Sequence, residues 1–442
     1  MRLKILQVVH GFPPKRKAGT EIYTYYLSKE LAKRHQVHVF YPTFENIKKI
    51  TINSVVRENL ILHELKIPSN KVRRFLRSLI LKNTYTDKEI EQQFRRLINE
   101  LKPHVIHFQH LINLSATLID VAEEFSIPTV ITLHDYWFIC PNIRLLTWDS
   151  KICKSYDPRK CKKCWARETS TELSEALEVY LHIPEKLARK HLEALLNLLN
   201  SEKKFKIRNK YLRSLLFKVD KIIAPSNFVR NVFIEYGVPK DKIIVSENGY
   251  DLEIFKRLQK KNINKHKIIF GFIGMIAPHK GIHVMIDAFR DVPKDKAELI
   301  IYGVHNPNSK YVKDILARIK RMPNIKFMGK FEDVKIPYSR IDVLIVPSVW
   351  HETGGPLVIR EAFATRTPVI ASNLGSIPEL VRDERNGLLF EPNDPKDLYE
   401  KIMRIVENPN LIESFKRSIK PPRSIKEQAR EIERLYREIL TR

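Results

Sequence analysis

The chain has 442 residues, too many for one hydrophobic core at roughly 100–200 residues per domain, so two or more domains are expected. Hydrophobic residues make up 43% and charged residues 29%. That balance excludes a disordered chain, and no run of 18 apolar residues marks a membrane span. Lysine and arginine number 78 against 51 aspartates and glutamates, a net charge of +27. Such an excess suits a polyanionic partner (nucleic acid, an anionic membrane surface or phosphorylated small molecules), or else a lysine-rich solvated surface.

In chain order, residues 1–9 are too short for a signal peptide and lack a small-residue cleavage site; they read as a first buried strand of a cytosolic protein. Further strands are expected at Val37–Tyr41, Val105–Phe108 and Thr129–Leu133, with a helix over Glu21–Arg34 carrying Tyr23, Leu27 and Leu31 at helical spacing. A second α/β series starts near Lys221. It runs through Ile243–Val245, Lys267–Ile273, Glu298–Tyr302, Ile325–Met328, Val343–Val346 and Val369–Ala371. The boundary between the domains is expected near Asp251–Lys265, where a polar, basic stretch separates two apolar regions, and Ser424–Leu440 reads as an amphipathic helix with Ile425, Ile432, Leu435, Tyr436 and Ile439 on one stripe.

Three loops carry the features of phosphate sites. The segment from His10 to Glu21 lies between the first strand and the first helix, where ligands bind in open α/β sheets, and Gly19 with Thr20 opens that helix. Gly271–Gly281 repeats the arrangement, with Gly274 in the turn and Lys280 just before a helix. In Trp350–Ala364, Gly354 and Gly355 precede Pro356, a residue suited to a first helical turn. The amides of Leu357 and Val358 then face outward as anion donors, and Glu361 lies one turn on, where a carboxylate can accept both hydroxyls of a ribose.

The order of these motifs resembles a retaining glycosyltransferase of family 4, over nearly the whole chain. Besides the three loops, the resemblance rests on Val105–His110, Thr132–Tyr136, Ala224–Ser226, Glu247–Asp251, Thr367–Ser372 and Gly375–Glu379. It implies an α/β chain of GT-B architecture: two Rossmann-like domains facing a cleft, with a C-terminal helix that crosses back to the first. The implied division is an acceptor-side domain at 1–222 with a Cys-containing helical insertion at about 140–218, a nucleotide-sugar domain at 223–420, and a closing helix at 421–442. It also implies a nucleotide-sugar donor, with Lys280 neutralising the diphosphate, the amides at Gly355, Leu357 and Val358 binding its oxygens, and Glu361 taking the ribose. Gly19, Thr20 and Gly274 would let backbone approach the phosphates, His134 would reach the transferred sugar, and Glu352 would be the first of the paired glutamates. No catalytic metal is expected, because Lys280 and helix N-termini can stabilise the leaving diphosphate.

Three departures from the family pattern are visible. Met275 stands where an arginine usually precedes the loop lysine. Eight residues separate Glu352 from Glu361 instead of seven, so either the extra glycine bulges or Glu352 misses the sugar. Ala364–Thr367 replaces a small glycine.

All four cysteines, Cys140, Cys153, Cys161 and Cys164, fall within 25 residues, and the last two have zinc-knuckle spacing. A structural zinc site is one reading; disulfides, redox chemistry and plain free thiols are the others. Lys71–Lys82 and Lys203–Lys221 are basic stretches with interleaved apolar residues. They fit either a peripheral membrane surface serving a lipid-linked acceptor or basic outer faces of ordinary packed helices. The expected activity is transfer of a sugar to a glycan or lipid-linked acceptor in polysaccharide or glycolipid synthesis. The competing reading is a noncatalytic or nucleic-acid-binding protein on the same scaffold, although no nucleic-acid motif is present.

Overall fold

A computed structural model describes all residues except 71–74, 76, 257, 259–266, 308 and 442. The chain divides into two compact units: residues 1–250 with 423–442, and residues 251–422.

Unit 1 is built on an eight-stranded sheet in the order β3-β4-β2-β1-β5-β6-β7-β8. Its strands are β1 (Lys4–Val8), β2 (Gln36–Glu45), β3 (Thr51–Arg57), β4 (Leu60–Pro68), β5 (Val105–Phe108), β6 (Thr129–Thr132), β7 (Lys221–Ala224) and β8 (Ile243–Val245). Every neighbouring pair is parallel except β3 with β4. That hairpin turns on Glu58 and Asn59, both at positive φ (51° and 64°), the backbone that a two-residue turn between twisted strands requires. Helices α1 (Gly19–Ala32), α2 (Lys88–Leu101), α3 (Leu118–Glu124) and α7 (Asn227–Glu235) supply connections. Between β6 and β7 the chain instead makes three long helices, α4 (Pro158–Leu181), α5 (Glu185–Leu199) and α6 (Glu202–Lys218).

Unit 2 has six parallel strands in the order β11-β10-β9-β12-β13-β14. These are β9 (Ile268–Ile273), β10 (Ala297–Tyr302), β11 (Ile325–Gly329), β12 (Val343–Val346), β13 (Val369–Ser372) and β14 (Gly387–Phe390). The helices are α8 (Ile282–Phe289), α9 (Lys310–Ile319), α10 (Lys335–Arg340), α11 (Leu357–Ala364), α12 (Ile377–Leu380), α13 (Pro395–Glu407) and α14 (Asn410–Ser418). The change of strand order at β9/β12 is the topological switch point at which open sheets bind ligands.

Helix α15 (Ile425–Leu440) returns to unit 1. A capping box between Ser424 and Glu427 starts it. Its stripe Ile425, Ala429, Ile432, Tyr436 and Ile439 is buried in one cluster with Tyr23, Leu27 and Leu31 of α1, each large apolar side chain contributing roughly 1.5–3 kcal/mol.

The expected boundary at 222/223 moves. Strands β7 and β8 pair with β6 in the first sheet, so the chain leaves unit 1 only after Tyr250. The second α/β series accordingly begins at β9, not at Lys221. Most of the basic stretch up to Lys265 lies outside the described residues, as do 71–74 and 76 of the first basic segment.

Candidate functional site

In unit 2 the site grows from the ends of β9 and β12. After β9 the chain passes Gly274 and reaches a single 3-10 turn, Pro278–Lys280. Gly281 closes that turn at φ 69°, and a Cβ there would lie 1.6 Å from the Pro347 carbonyl oxygen, so only glycine lets the turn press against the end of β12. The His279 carbonyl accepts the Val349 N–H at 3.0 Å. Lys280 is thereby fixed at the mouth of the sheet. Its ammonium donates to Glu352 Oε1 at 2.7 Å and lies 5.3 Å from the Trp350 ring centroid.

Glu352 is buried and its Oε1 is fully committed: it also accepts from Ser348 Oγ and Trp350 Nε1, both at 2.8 Å. Its backbone carbonyl takes the Ser376 hydroxyl at 2.7 Å, and the same hydroxyl accepts the Gly355 N–H at 2.8 Å. Gly355 has φ 72°. Pro356 then stands just before α11 as its N-cap instead of inside its first turn, and the first backbone bond of the helix runs from Ile359 N–H to the Pro356 carbonyl. Among the described residues no carbonyl takes the N–H of Leu357 or Val358, and both side chains are half-buried. These are the orphan donors with which a helix N-terminus binds anions. Behind them the fully buried Arg360 donates to the Gly354 carbonyl at 2.7 Å and stiffens the loop. Glu361 is half-buried and accepts from Tyr338 OH at 2.8 Å.

Lys280, Glu352, Gly355 and the start of α11 thus form one chain of contacts. Ser348, Trp350, Ser376 and Tyr338 hold it and were missed by sequence reasoning; the cue available was their place at strand ends and beside the two glutamates. Gly274 is less constrained than expected, since a Cβ there would meet Phe272 at 3.4 Å. The tight position is Gly303, where a Cβ would lie 1.9 Å from the Gly274 carbonyl oxygen. Met275 is 52% exposed and supplies no cation in place of the family arginine.

In unit 1 the β1–α1 loop and the ends of β5 and β6 gather histidines. Gly19 is exposed and Thr20 half-buried at the start of α1. Glu21, fully buried, is ion-paired with Arg16 at 2.6 Å and approached by His10 Nε2 at 3.2 Å. Burial alone would raise its carboxyl, but the His10 imidazole and the Arg16 charge bring it down to about 2. The His10 ring lies 4.5 Å from that of His110. His110 Nδ1 accepts the Ile112 N–H, so its Nε2 carries the proton given to Asp135 at 2.6 Å.

His134 donates from Nε2 to Gln109 Oε1 at 2.8 Å and packs its ring edge-on to Tyr23. Gln109 in turn donates to Gln7, and Gln7 to the hydroxyl of Tyr436 on α15. The same hydroxyl meets His107 Nδ1 at 2.7 Å. Burial first, then the neighbouring His110, pulls His134 down to about 3. The imidazole is neutral at pH 7, able to give and take hydrogen bonds but not to act as a resident cation.

The cysteines do not build the expected zinc site. Among the described residues no group of three or more His, Cys, Asp or Glu is placed to hold a metal ion, and all four thiols are free. Cys153 Sγ turns to the Ser155 carbonyl and Cys164 Sγ to that of Leu146. Burial pushes Cys161 and Cys164 up to about 12, so both are protonated thiols at neutral pH.

Residues 253–435 match the family model described as glycosyl transferases group 1, and residues 18–167 and 190–254 match Glycosyltransferase Family 4. Two parallel-sheet α/β units carrying these matches define a protein of GT-B architecture. Both models describe glycosyltransferases, and between them they match the chain from residue 18 to 435 except 168–189. It is 33% identical over 195 residues to an uncharacterized glycosyltransferase of Methanocaldococcus jannaschii, covering 43% of this chain and 51% of that protein. Over 214 residues it is 28% identical to the capsular polysaccharide biosynthesis glycosyltransferase CapM of Staphylococcus aureus, covering 45% and 56%. The chain therefore spans about half the length of the curated relatives it matches. The crystal structure of Anabaena HepE in complex with UDP and glucose superposes with a TM-score of 0.63 at 15% identity, covering 98% of this chain and 99% of that one. That likeness is one of fold.

Proposed function

We propose that this protein is a hexosyl-type glycosyltransferase that moves a sugar from a nucleotide-diphosphate sugar to a glycan or lipid-linked acceptor, with retention of configuration. Polysaccharide or glycolipid synthesis on the cytoplasmic side of the cell envelope is the setting, as the capsular relative suggests. The observation that carries the reading is the ammonium of Lys280, held by Glu352 and Trp350 beside the two orphan amides that open α11.

In this mechanism Lys280 and the amides of Leu357 and Val358 take the charge of the leaving diphosphate, and Glu361 accepts the ribose hydroxyls. The acceptor oxygen bonds to the anomeric carbon as the bond from that carbon to the phosphate oxygen breaks. The acceptor's proton passes to the departing diphosphate. Glu352, with Oε1 already accepting three hydrogen bonds, orients Lys280. His134 serves as a neutral hydrogen-bond partner for a sugar hydroxyl. No step is routed through a metal.

A thermal-shift panel of UDP-, GDP- and ADP-sugars tests the donor site. One sugar nucleotide is expected to raise the melting temperature of the wild type, and not of Lys280→Ala or Glu361→Ala. If none of them stabilises the protein, and none is consumed in the presence of glycan or lipid-linked acceptors, the noncatalytic reading replaces this one.

A further inference from the structure

Helices α5 and α6 leave apolar side chains in water that the fold does not use. On α5 the buried stripe is Ala188, Leu192 and Leu196. On its other side Leu187 and Leu198 are 55% and 81% exposed, while Leu195, at the edge of the buried stripe, is 38% exposed. At 100° per residue, Leu187, Ala194 and Leu198 fall within about 40° of arc, facing away from the buried stripe. A helix with two separate apolar faces is packed on one and open on the other.

Two residues later α6 begins, and its character explains what the open face meets. Lys203–Val219 contains seven lysines and arginines and no acidic residue. Its inner face buries Phe205, Arg208, Leu212, Leu215 and Leu216. Its outer face presents Lys203, Lys206, Lys210 and Arg213, all exposed, together with Ile207 at 52% and Phe217 at 44%. Among the described residues no carboxylate pairs with any of these four cations. Unneutralised basic side chains with isolated exposed apolar ones between them are what an interfacial helix offers to anionic headgroups: charge for the phosphates, apolar tips for the acyl boundary. No helix among the described residues is long and apolar enough to cross a membrane, so the contact this surface makes is peripheral.

We propose that the outer faces of α5 and α6 dock unit 1 on an anionic lipid bilayer, with Leu198, at the end of α5, and Ile207, in the second turn of α6, entering the headgroup region. The inference does not depend on the transferase reading, because bilayer binding is measured without a sugar donor. The test is co-sedimentation of the full chain with vesicles of phosphatidylcholine and phosphatidylglycerol in equal parts, against pure phosphatidylcholine, at 50 and 500 mM salt. The wild type is expected to bind the anionic vesicles at low salt and to leave them at high salt. Leu198→Glu/Ile207→Glu and, separately, Lys203→Glu/Lys206→Glu/Lys210→Glu should each bind at least tenfold more weakly. All these positions are exposed, so unchanged circular dichroism and melting temperature show that the variants fold. The proposal is overturned by a wild type that fails to bind at low salt, and by variants that bind as well as wild type. Loss of binding in the lysine variant alone leaves only a diffuse charge effect and also overturns it. Concentration-dependent self-association abolished by Leu198→Glu, with no vesicle binding, assigns the face to a second copy of the chain instead.

Discussion

In unit 2 the candidate site is organised around a formal ion pair, Lys280 with Glu352, whose lysine keeps 25% of its side chain in contact with solvent. In unit 1 the candidate histidine is half-buried and stripped of charge, His134 held near 3 and the fully buried His107 near 3 by loss of solvent around the rings. Both sites sit at the carboxyl ends of parallel strands, yet one keeps a cation ready and the other excludes one. The difference follows from what covers each strand end: two glycines and a bare helix start in unit 2, packed aromatic and amide side chains in unit 1. An anionic leaving group calls for the first environment and a neutral hydroxyl for the second.

The largest expected effect separates the two sites directly. Lys280→Ala should lower kcat/KM by about 10² to 10³, roughly 2.7–4 kcal/mol of transition-state stabilisation. Steady-state kinetics on the donor found in the thermal-shift panel is the measurement. The double variant Lys280→Ala/Glu352→Gln removes the uncompensated buried carboxylate, so it should recover melting temperature but not activity. Recovery of activity would mean the lysine matters only as a structural partner.

Acid comes next, and it should distinguish the units by stability. A histidine whose folded pKa lies below its ordinary 6.5 binds its proton more readily when unfolded. Its burial therefore costs nothing above 6.5 and weakens the fold progressively as the pH drops toward the folded value. For His107 and His134 that window runs from 6.5 to about 3, and for His38 and His63 from 6.5 to about 4, at about 1.4 kcal/mol per pH unit for each group. Glu21, ordinarily near 4.5 and held at about 2, adds a loss that begins as the pH falls through 4.5. Glu168 and Glu172, raised by burial, act in the opposite sense and offset part of it. In unit 2 burial also lowers His283 and His351. Hydrogen exchange at pH 5 should show unit 1 peptides losing protection before those of unit 2; the reverse order would break the comparison.

How much of this was legible in the sequence depends on the range of the interaction. Lys280, Pro356 and Glu361 announced themselves because a loop lysine, a helix-opening proline and a carboxylate one turn on are local patterns with local causes. The extra residue before Glu361 was legible as an anomaly, but the partner of the Gly355 amide, the Ser376 hydroxyl, lies 21 residues away. The β3–β4 hairpin went unread because β3 is mostly exposed and carries no buried alternation. The polar stretch that starts at Asp251 marked the domain boundary, whereas the division at 222/223 misled because β7 and β8 look like the opening of a new α/β series until their pairing with β6 is known. The cysteine spacing left zinc, disulfide and free-thiol readings open, because spacing alone cannot show where four sulfurs point.

His134→Ala is expected to cost on the order of 10- to 100-fold in kcat, about 1.4–2.7 kcal/mol, with kcat of the wild type flat from pH 6 to 8 as far as this residue is concerned. A wild-type inflection near 6.5 that disappears in His134→Ala would show that the ring is charged during turnover, and the contrast between the two sites would fail.

The smallest effect tests the reach of that neutral network. Tyr436 lies on α15, more than 300 residues from His134 in sequence, yet its hydroxyl holds both Gln7 and His107, and Gln7 holds Gln109 against His134. Tyr436→Phe keeps the ring that packs against α1 and removes only the hydroxyl. It leaves two buried polar groups without a partner, which should lower stability by about 1–3 kcal/mol. It also frees the Gln7 amide to turn, and with it the acceptor that fixes His134 by its Nε2 proton. Kcat should fall about threefold with donor KM unchanged, since the donor wall belongs to the other unit. A purely structural tyrosine would lower the melting temperature and leave kcat alone. A change in donor KM would instead show that the packing of α15 acts on unit 2, and the two strand-end environments could not then be treated as independent.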